Sequence, residues 1–214
     1  YTMGGNILKK KFISIILVII LIAMPITAFG VVDITSKSAI LMDFGSGDVI
    51  YAVNENEKLP PASVTKIMTL LLTMEAIDNG RISLGDKVVI SEYAASMGGT
   101  QVYLEPGETQ TVEDLIKAVS IRSANDASVA LGEAISGSNE AFLKLMNERA
   151  VQLGMKNTHF ANASGLPIEN HYTTAYDIGL MSRELLKHKS IEKYLTTYME
   201  DIYEGRKKDD VQTL

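Results

Sequence analysis

The order of apolar and polar residues predicts a chain that begins with strands and continues mainly with helices. Two short apolar runs, 39–44 and 48–53, flank Gly45-Ser46-Gly47, which is a typical hairpin turn sequence. The segment 63–79 that follows is apolar on almost every face and ends before Gly80, as expected of a buried helix with a glycine cap. Strands followed by several helices predict an α+β fold.

The chain from Leu84 to Pro106 is rich in glycine and is predicted to form loops and short strands, after which helices dominate. Residues that favour helix N-termini mark the start of each helix. The predicted helices cover about residues 111–121, 126–135 and 138–153, and a last one runs from Thr173 or Thr174 to about Lys187. Residues 157–172 are predicted to form a loop, and the charged tail 204–210 a solvated turn or chain end.

The first 30 residues have the pattern of a secretory signal peptide. Lys9-Lys10-Lys11 precede an uncharged stretch, 12–32, in which the small residues Ala28 and Gly30 favour cleavage before Val31. The alternative is an uncleaved anchor that attaches the protein to the membrane, because about 20 apolar residues can span a bilayer. Both interpretations predict that the rest of the chain works outside the cytoplasm, either secreted or associated with the cell envelope.

Composition excludes several classes of function. The 214 residues carry a net charge of −6, and an acidic protein is a poor partner for nucleic acid. The absence of cysteine excludes disulfides, thiol nucleophiles and Cys-ligated zinc. His159, His171 and His188 are scattered without a His-Glu-x-x-His pairing, so no metal or other cofactor is predicted. His171, beside Tyr172, is interpreted as structural.

Ser63 and Lys66 form the first candidate site. Residues three apart lie on the same side of a helix, so the hydroxyl and the amine can meet. A serine becomes a nucleophile when a base takes its proton, and burial lowers the pKa of a lysine so that it can be that base. The alternative is a capped helix whose lysine extends to solvent. The pattern is common by chance, and we interpret its second occurrence, Ser190 and Lys193, as chance.

Ser123 and Asn125 form a second candidate pair, in a tight loop between two predicted helices. A hydroxyl there could relay a proton, and an amide could hold a substrate amide. The alternative is an ordinary helix N-cap, for which both residue types are favoured.

Together these motifs resemble those of penicillin-binding proteins and class A β-lactamases. Further segments resemble the serine-type D-Ala-D-Ala carboxypeptidases, the low-molecular-mass penicillin-binding proteins, between about residues 36 and 198. These segments are 61–69, 98–101, 104–108, 123–127, 153–160 and 171–177. The resemblance implies a β-lactamase/transpeptidase-like fold, in which a helical lobe lies beside an antiparallel sheet.

The resemblance also implies a reaction and a substrate. Ser63 would attack the penultimate D-Ala of a peptidoglycan stem peptide ending in D-Ala-D-Ala, with Lys66 as the general base. Ser123 would pass a proton to the departing D-Ala, and Asn125 would bind the acyl amide. The Ser63 N–H is expected to be one donor to the oxyanion. A role in the cell wall and cell shape of a bacterium, covalent inhibition by β-lactams and independence of any cofactor follow from the same resemblance.

One motif of that family, Lys-Thr-Gly, is absent from the 214 residues. In the family it lies on a strand that supplies a second oxyanion donor. We therefore expect residues 31–214 to be an incomplete catalytic domain without the C-terminal strands of its sheet, which folds poorly or has impaired activity by itself. Two alternatives remain open. One is a class A β-lactamase, with Glu140, Glu148 or Glu169 activating water, and the other is a non-catalytic envelope protein that binds the cell wall.

Overall fold

The computed structural model describes residues 34–199, 201–202 and 212–213. Contacts divide the chain into two units, 1–35 and 36–214, and every helix and strand described below belongs to the second. The predicted signal segment, its boundary at residue 30 and the charged tail 204–210 lie outside the described residues. Among the residues that are described, no helix is long and apolar enough to cross a membrane.

The described strands form three antiparallel pairs. They are β1 (Ala39–Met42) with β2 (Val49–Val53), β3 (Lys87–Val89) with β4 (Thr109–Thr111), and β5 (Asp201–Ile202) with β6 (Gln212–Thr213). The first pair confirms the predicted hairpin, with Ala39 opposite Val53 and a register shift after Leu41. The Asp43 carboxylate accepts a hydrogen bond from the Ser46 N–H at 2.7 Å and so closes the turn. The pair formed by β5 and β6 was not predicted.

Seven α-helices are described. They are α1 (Lys66–Asp78), α2 (Glu92–Ala95), α3 (Val112–Arg122), α4 (Asn125–Ser136), α5 (Asn139–Gln152), α6 (Ala175–Leu185) and α7 (Glu192–Leu195). The caps explain why α3, α5 and α6 begin where predicted: the side chains of Thr111, Ser138 and Thr174 each accept an N–H from the first turn. The short helices α2 and α7 were not predicted.

The predicted helix 63–79 is wrong at its N-terminal end. Ala62–Thr65 form a 3-10 turn, and the α-helix starts only at Lys66. Ala62 has a left-handed backbone with φ 47°, outside the helical region, and the chain after it forms tighter hydrogen bonds to the third residue back before α1 begins. The Val64 N–H instead bonds to the Pro61 carbonyl at 3.2 Å.

Helix α1 is the centre of the core. Nine of its 13 residues are buried, which confirms the prediction of a buried helix. It packs against α3, α4, α5 and α6, while β1 lies against α6. The first turns of α1 and α4 lie side by side, because the Ser128 Oγ is 3.4 Å from the Thr69 Oγ1. The two candidate pairs predicted from the sequence therefore belong to adjacent helix N-termini.

Candidate active site

The structure brings Ser63 and Lys66 together. Ser63 is exposed in the 3-10 turn, whereas Lys66 opens α1 and is only 3% exposed. The Lys66 Nζ lies 3.3 Å from the Ser63 Oγ and donates a second hydrogen bond, at 2.6 Å, to the carbonyl oxygen of Ser164. An accessible hydroxyl therefore contacts a buried amine, which is the arrangement that a serine nucleophile and its base require.

Burial changes the proton equilibrium of Lys66. Desolvation lowers the pKa of Lys66 from 10.5 to about 8, and the nearby charge of Asp126 opposes part of that shift. At pH 7 roughly one amine in ten is then unprotonated, against about one in 3,000 at the ordinary pKa. The free amine can keep its hydrogen bond to the Ser164 carbonyl while its lone pair accepts the Ser63 proton.

The backbone around Ser63 is tightly constrained. Ala62, directly before Ser63, has a left-handed conformation that is costly for a residue with a Cβ. Gly165, with φ +90°, faces this turn: a Cβ on it would be 2.9 Å from the Ser63 N and closer still to the Ala62 carbonyl. Only glycine fits at this position, so residues 161–165 lie directly against the turn that presents Ser63.

Buried hydroxyls fix the segment 161–165 against the helices. The Ala163 carbonyl accepts hydrogen bonds from the Thr69 Oγ1 at 2.9 Å and the Ser128 Oγ at 2.7 Å. The Asn162 side-chain oxygen accepts the Ser164 and Gly165 N–H groups at 3.1 and 2.6 Å. The Ser164 carbonyl is thereby placed where it accepts a hydrogen bond from Lys66.

Ser123 ends α3 in a left-handed conformation, with φ 59°. No residue in the described part of the chain forms a hydrogen bond with its hydroxyl, so the structure does not join Ser123 to Lys66. Asn125 starts α4: its N–H donates to the Thr100 carbonyl at 2.8 Å and its Nδ2 to the Gly98 carbonyl at 2.7 Å. Among the described residues, no hydrogen-bond donor occupies the Asn125 side-chain oxygen.

Asp126 is a buried carboxylate that organises the loop before β4. It accepts the N–H groups of Val102 at 3.2 Å and Leu104 at 3.1 Å. Hydrogen bonds to a charged acceptor are stronger than those to a neutral one. Asp126 therefore stabilises the chain that carries Gly98, and it also contributes the negative charge near Lys66.

The sequence predictions that remain concern exposed residues. Ser190 and Lys193 are both exposed, and Lys193 donates to the Glu113 carboxylate at 2.6 Å, which raises the pKa of Lys193. That lysine is protonated and solvated, so it lacks the properties of a base. Glu140, Glu148 and Glu169 are exposed as well. No group of three or more metal-ligating side chains is found among the described residues.

Sequence reasoning missed two contributions to this site. Lys66 bonds to a backbone carbonyl, which no side-chain pattern reveals. The role of Asp126 depends on a loop more than 20 residues away in the chain. The structural interpretation of His171 agrees with its position, because the ring is buried and hydrogen-bonded to Thr65 beside the candidate base.

An exposed serine hydroxyl beside a buried lysine amine is the arrangement typical of serine acyl-transfer enzymes that use a Ser–Lys pair. A model of the D-alanyl-D-alanine carboxypeptidase family matches residues 25–212. The chain belongs to this family. The match favours the carboxypeptidases over the class A β-lactamases and the non-catalytic proteins left open by the residues alone.

Individual relatives agree with the family. The D-alanyl-D-alanine carboxypeptidase DacF of Bacillus subtilis is 54% identical over 173 residues, which are 81% of this chain and 44% of DacF. DacC of Escherichia coli is 39% identical over 76% of this chain and 42% of DacC. The chain therefore spans less than half the length of these curated relatives.

Solved structures show the same fold. The D-alanyl-D-alanine carboxypeptidase DacD of Francisella tularensis superposes with a TM-score of 0.74 at 38% identity, over 77% of this chain and 40% of that one. Penicillin-binding protein D2 of Listeria monocytogenes, in its ampicillin-bound form, gives 0.70 at 29% identity, over 79% of this chain and 69% of that one. The α+β, penicillin-binding-protein fold implied by the resemblance is thus confirmed.

Proposed function

We propose that the chain carries the acylation site of a serine-type D-Ala-D-Ala carboxypeptidase. The observation that carries the proposal is the 3.3 Å contact between the exposed Ser63 Oγ and the buried Lys66 Nζ. The lowered pKa of Lys66 supports it, because an unprotonated amine is required of the base.

In the proposed acylation step, the Lys66 amine takes the Ser63 proton while the Oγ bonds to the carbonyl carbon of the penultimate D-Ala. The bond from that carbon to the nitrogen of the terminal D-Ala then breaks. The departing amine takes up a proton from the Ser123 hydroxyl. The proton that Lys66 removed from Ser63 then restores that hydroxyl through bound substrate or water, because the two side chains are not hydrogen-bonded to each other in the structure. Water finally hydrolyses the ester, which restores Ser63 and releases a peptide shorter by one D-Ala.

Binding groups complete the proposed site. The Ser63 N–H donates to the oxyanion that forms in acylation. The Asn125 side-chain oxygen accepts the N–H of the substrate's acyl amide, since its Nδ2 already holds Gly98. The step uses no metal or other cofactor.

The proposed partner is a peptidoglycan stem peptide ending in D-Ala-D-Ala, and β-lactams would acylate the same serine. The ampicillin-bound Listeria relative supports the second statement. Such a substrate lies outside the bacterial cytoplasm, so we propose an extracytoplasmic location with residues 1–30 as a cleaved signal or an anchor.

The test is release of D-alanine from a synthetic stem pentapeptide by the purified chain and by Ser63→Ala. We expect the wild-type chain to shorten the peptide by one D-alanine, and the variant to leave it intact. Equal release by both would contradict the proposal. If the wild-type chain releases no D-alanine, covalent labelling by a fluorescent penicillin decides, and absence of a Ser63 adduct would contradict the proposal. The rate also tests the expected impairment: turnover as fast as that of full-length DacF would contradict that expectation.

A further inference from the structure

His171 is a buried titratable residue that the proposed reaction does not use. It is 6% exposed and lies just before α6, with its ring 6.1 Å from that of Phe160. Its Nε2 is 2.8 Å from the Oγ1 of Thr65, and its Nδ1 accepts the Ala161 N–H at 2.9 Å. Both ring nitrogens therefore have partners, and these lie in different parts of the chain.

These partners determine the protonation of the ring. Because Nδ1 accepts a backbone N–H, the ring proton lies on Nε2, which donates to the Thr65 hydroxyl. A second proton on Nδ1 would face the Ala161 N–H, donor against donor. Burial, with a smaller contribution from His159, lowers the pKa of His171, in agreement with a neutral ring.

The two partners of His171 belong to the two segments that Lys66 connects. Thr65 is fully buried and precedes Lys66 in the turn that presents Ser63. Ala161 begins the segment 161–165, whose Ser164 carbonyl accepts a hydrogen bond from the Lys66 amine. One imidazole thus connects the turn that holds the nucleophile with the segment that holds the base.

We propose that His171 is a positioning residue, whose neutral ring fixes the Ser63–Lys66 turn against residues 161–165 by bonding Thr65 and Ala161 together. It keeps water from the Lys66 amine and keeps the Nζ within reach of both the Ser63 Oγ and the Ser164 carbonyl. The contribution of His171 to catalysis rests on the proposed function, but the effect of His171 on the position and pKa of Lys66 does not.

Variants can remove this hydrogen bond from either side. Thr65→Val removes the acceptor while keeping the shape, and Thr65→Ser restores the hydroxyl. His171→Asn keeps an oxygen near the position of Nδ1 for Ala161 and lacks the Nε2 donor. Thr73→Val is the matched control. The Thr73 hydroxyl is equally buried in α1, and its one hydrogen bond within the described residues is to the Thr69 carbonyl, at 2.8 Å.

The first measurement is the pKa of Lys66 itself, from competitive acetylation with acetic anhydride as a function of pH, followed by mass spectrometry. We expect the pKa to rise by about one unit in Thr65→Val and His171→Asn, because water reaches the amine. Thr65→Ser and Thr73→Val are expected to keep the wild-type value. The double variant Thr65→Val/His171→Asn should match the more affected single variant, since both remove the same bond.

The second measurement is the rate of reaction with a fluorescent penicillin. A pKa raised by one unit lowers this rate at pH 7 by about tenfold, and the difference from wild type vanishes at pH values above both pKa values. A wild-type Lys66 pKa in Thr65→Val, or a shift equal to that in Thr73→Val, would overturn the inference. If the wild-type chain does not react with penicillin, the proposed function fails, while the Lys66 pKa still decides the role of His171.

Discussion

Replacement of Gly165 by alanine tests how closely residues 161–165 must approach the turn that contains Ser63. The new Cβ would lie 2.9 Å from the Ser63 N and nearer to the Ala62 carbonyl, so backbone atoms have to move. Alanine at φ +90° adds strain of about 1–2 kcal/mol. Overpacking in a rigid environment adds about 1–3 kcal/mol.

The free energy of unfolding is therefore expected to fall by about 2–5 kcal/mol in Gly165→Ala. In a chain of this size each kcal/mol corresponds to about 2–4 °C in Tm, so the decrease is at least about 4 °C. If the segment instead moves away, the Ser164 carbonyl leaves Lys66 and reaction with penicillin slows. Thermal unfolding by circular dichroism and the rate of labelling by a fluorescent penicillin measure the two effects.

Gly137→Ala is the matched control. Gly137 has φ +84°, but no atom lies within 4 Å of the position its Cβ would take. The variant carries the conformational strain of about 1–2 kcal/mol without the steric clash. Its Tm should therefore fall by about 2–4 °C for each kcal/mol of strain, and its labelling by penicillin should be unchanged. Equal Tm values for the two variants, together with wild-type labelling of Gly165→Ala, would refute the reasoning.

Further predictions follow from the buried groups of the site. The rate of penicillin labelling should rise about tenfold per pH unit below the Lys66 pKa of about 8 and level off above it, because the unprotonated amine is the reactive form. A flat profile from pH 6 to pH 10 would contradict the assignment of Lys66 as the base. Asp126→Asn places an NH₂ against the N–H of Val102 or Leu104 and should lower the free energy of unfolding, measured in urea, by about 1–3 kcal/mol. Unchanged stability would exclude the proposed role of the carboxylate. Ser128→Ala removes one of two donors to the Ala163 carbonyl and should cost about 1 kcal/mol. Its control is Ser120→Ala, which should cost less, because the Ser120 hydroxyl bonds to the Ile116 carbonyl within α3. Finally, the penicilloyl adduct should persist as an intact mass shift; rapid nitrocefin turnover would instead favour a β-lactamase.

The sequence predicted those features of the fold that depend on neighbouring residues. The β1–β2 hairpin depends on its turn residues, and α3, α5 and α6 begin at local caps such as Thr111. Helix α1 could be predicted because a continuous apolar segment of the sequence indicates a buried helix.

Features that depend on distant residues could not be predicted. The 3-10 turn at Ala62 lies against Gly165, about 100 positions further along the chain. The acceptor of the Lys66 amine is a main-chain oxygen, which has no sequence signature. The site was identified from Ser63 and Lys66 because they lie within one turn, whereas the residues that hold this turn in place come from another part of the chain.

The central claim is that Ser63 is the nucleophile and Lys66 its base, and covalent labelling tests it most directly. The purified chain and the variants Ser63→Ala and Lys66→Arg are incubated with a fluorescent penicillin, and the adduct is located by peptide mass spectrometry. We predict one adduct, on Ser63, and none in either variant, because a guanidinium does not release its proton at ordinary pH. An adduct on another residue, or labelling that survives Ser63→Ala, would contradict the account.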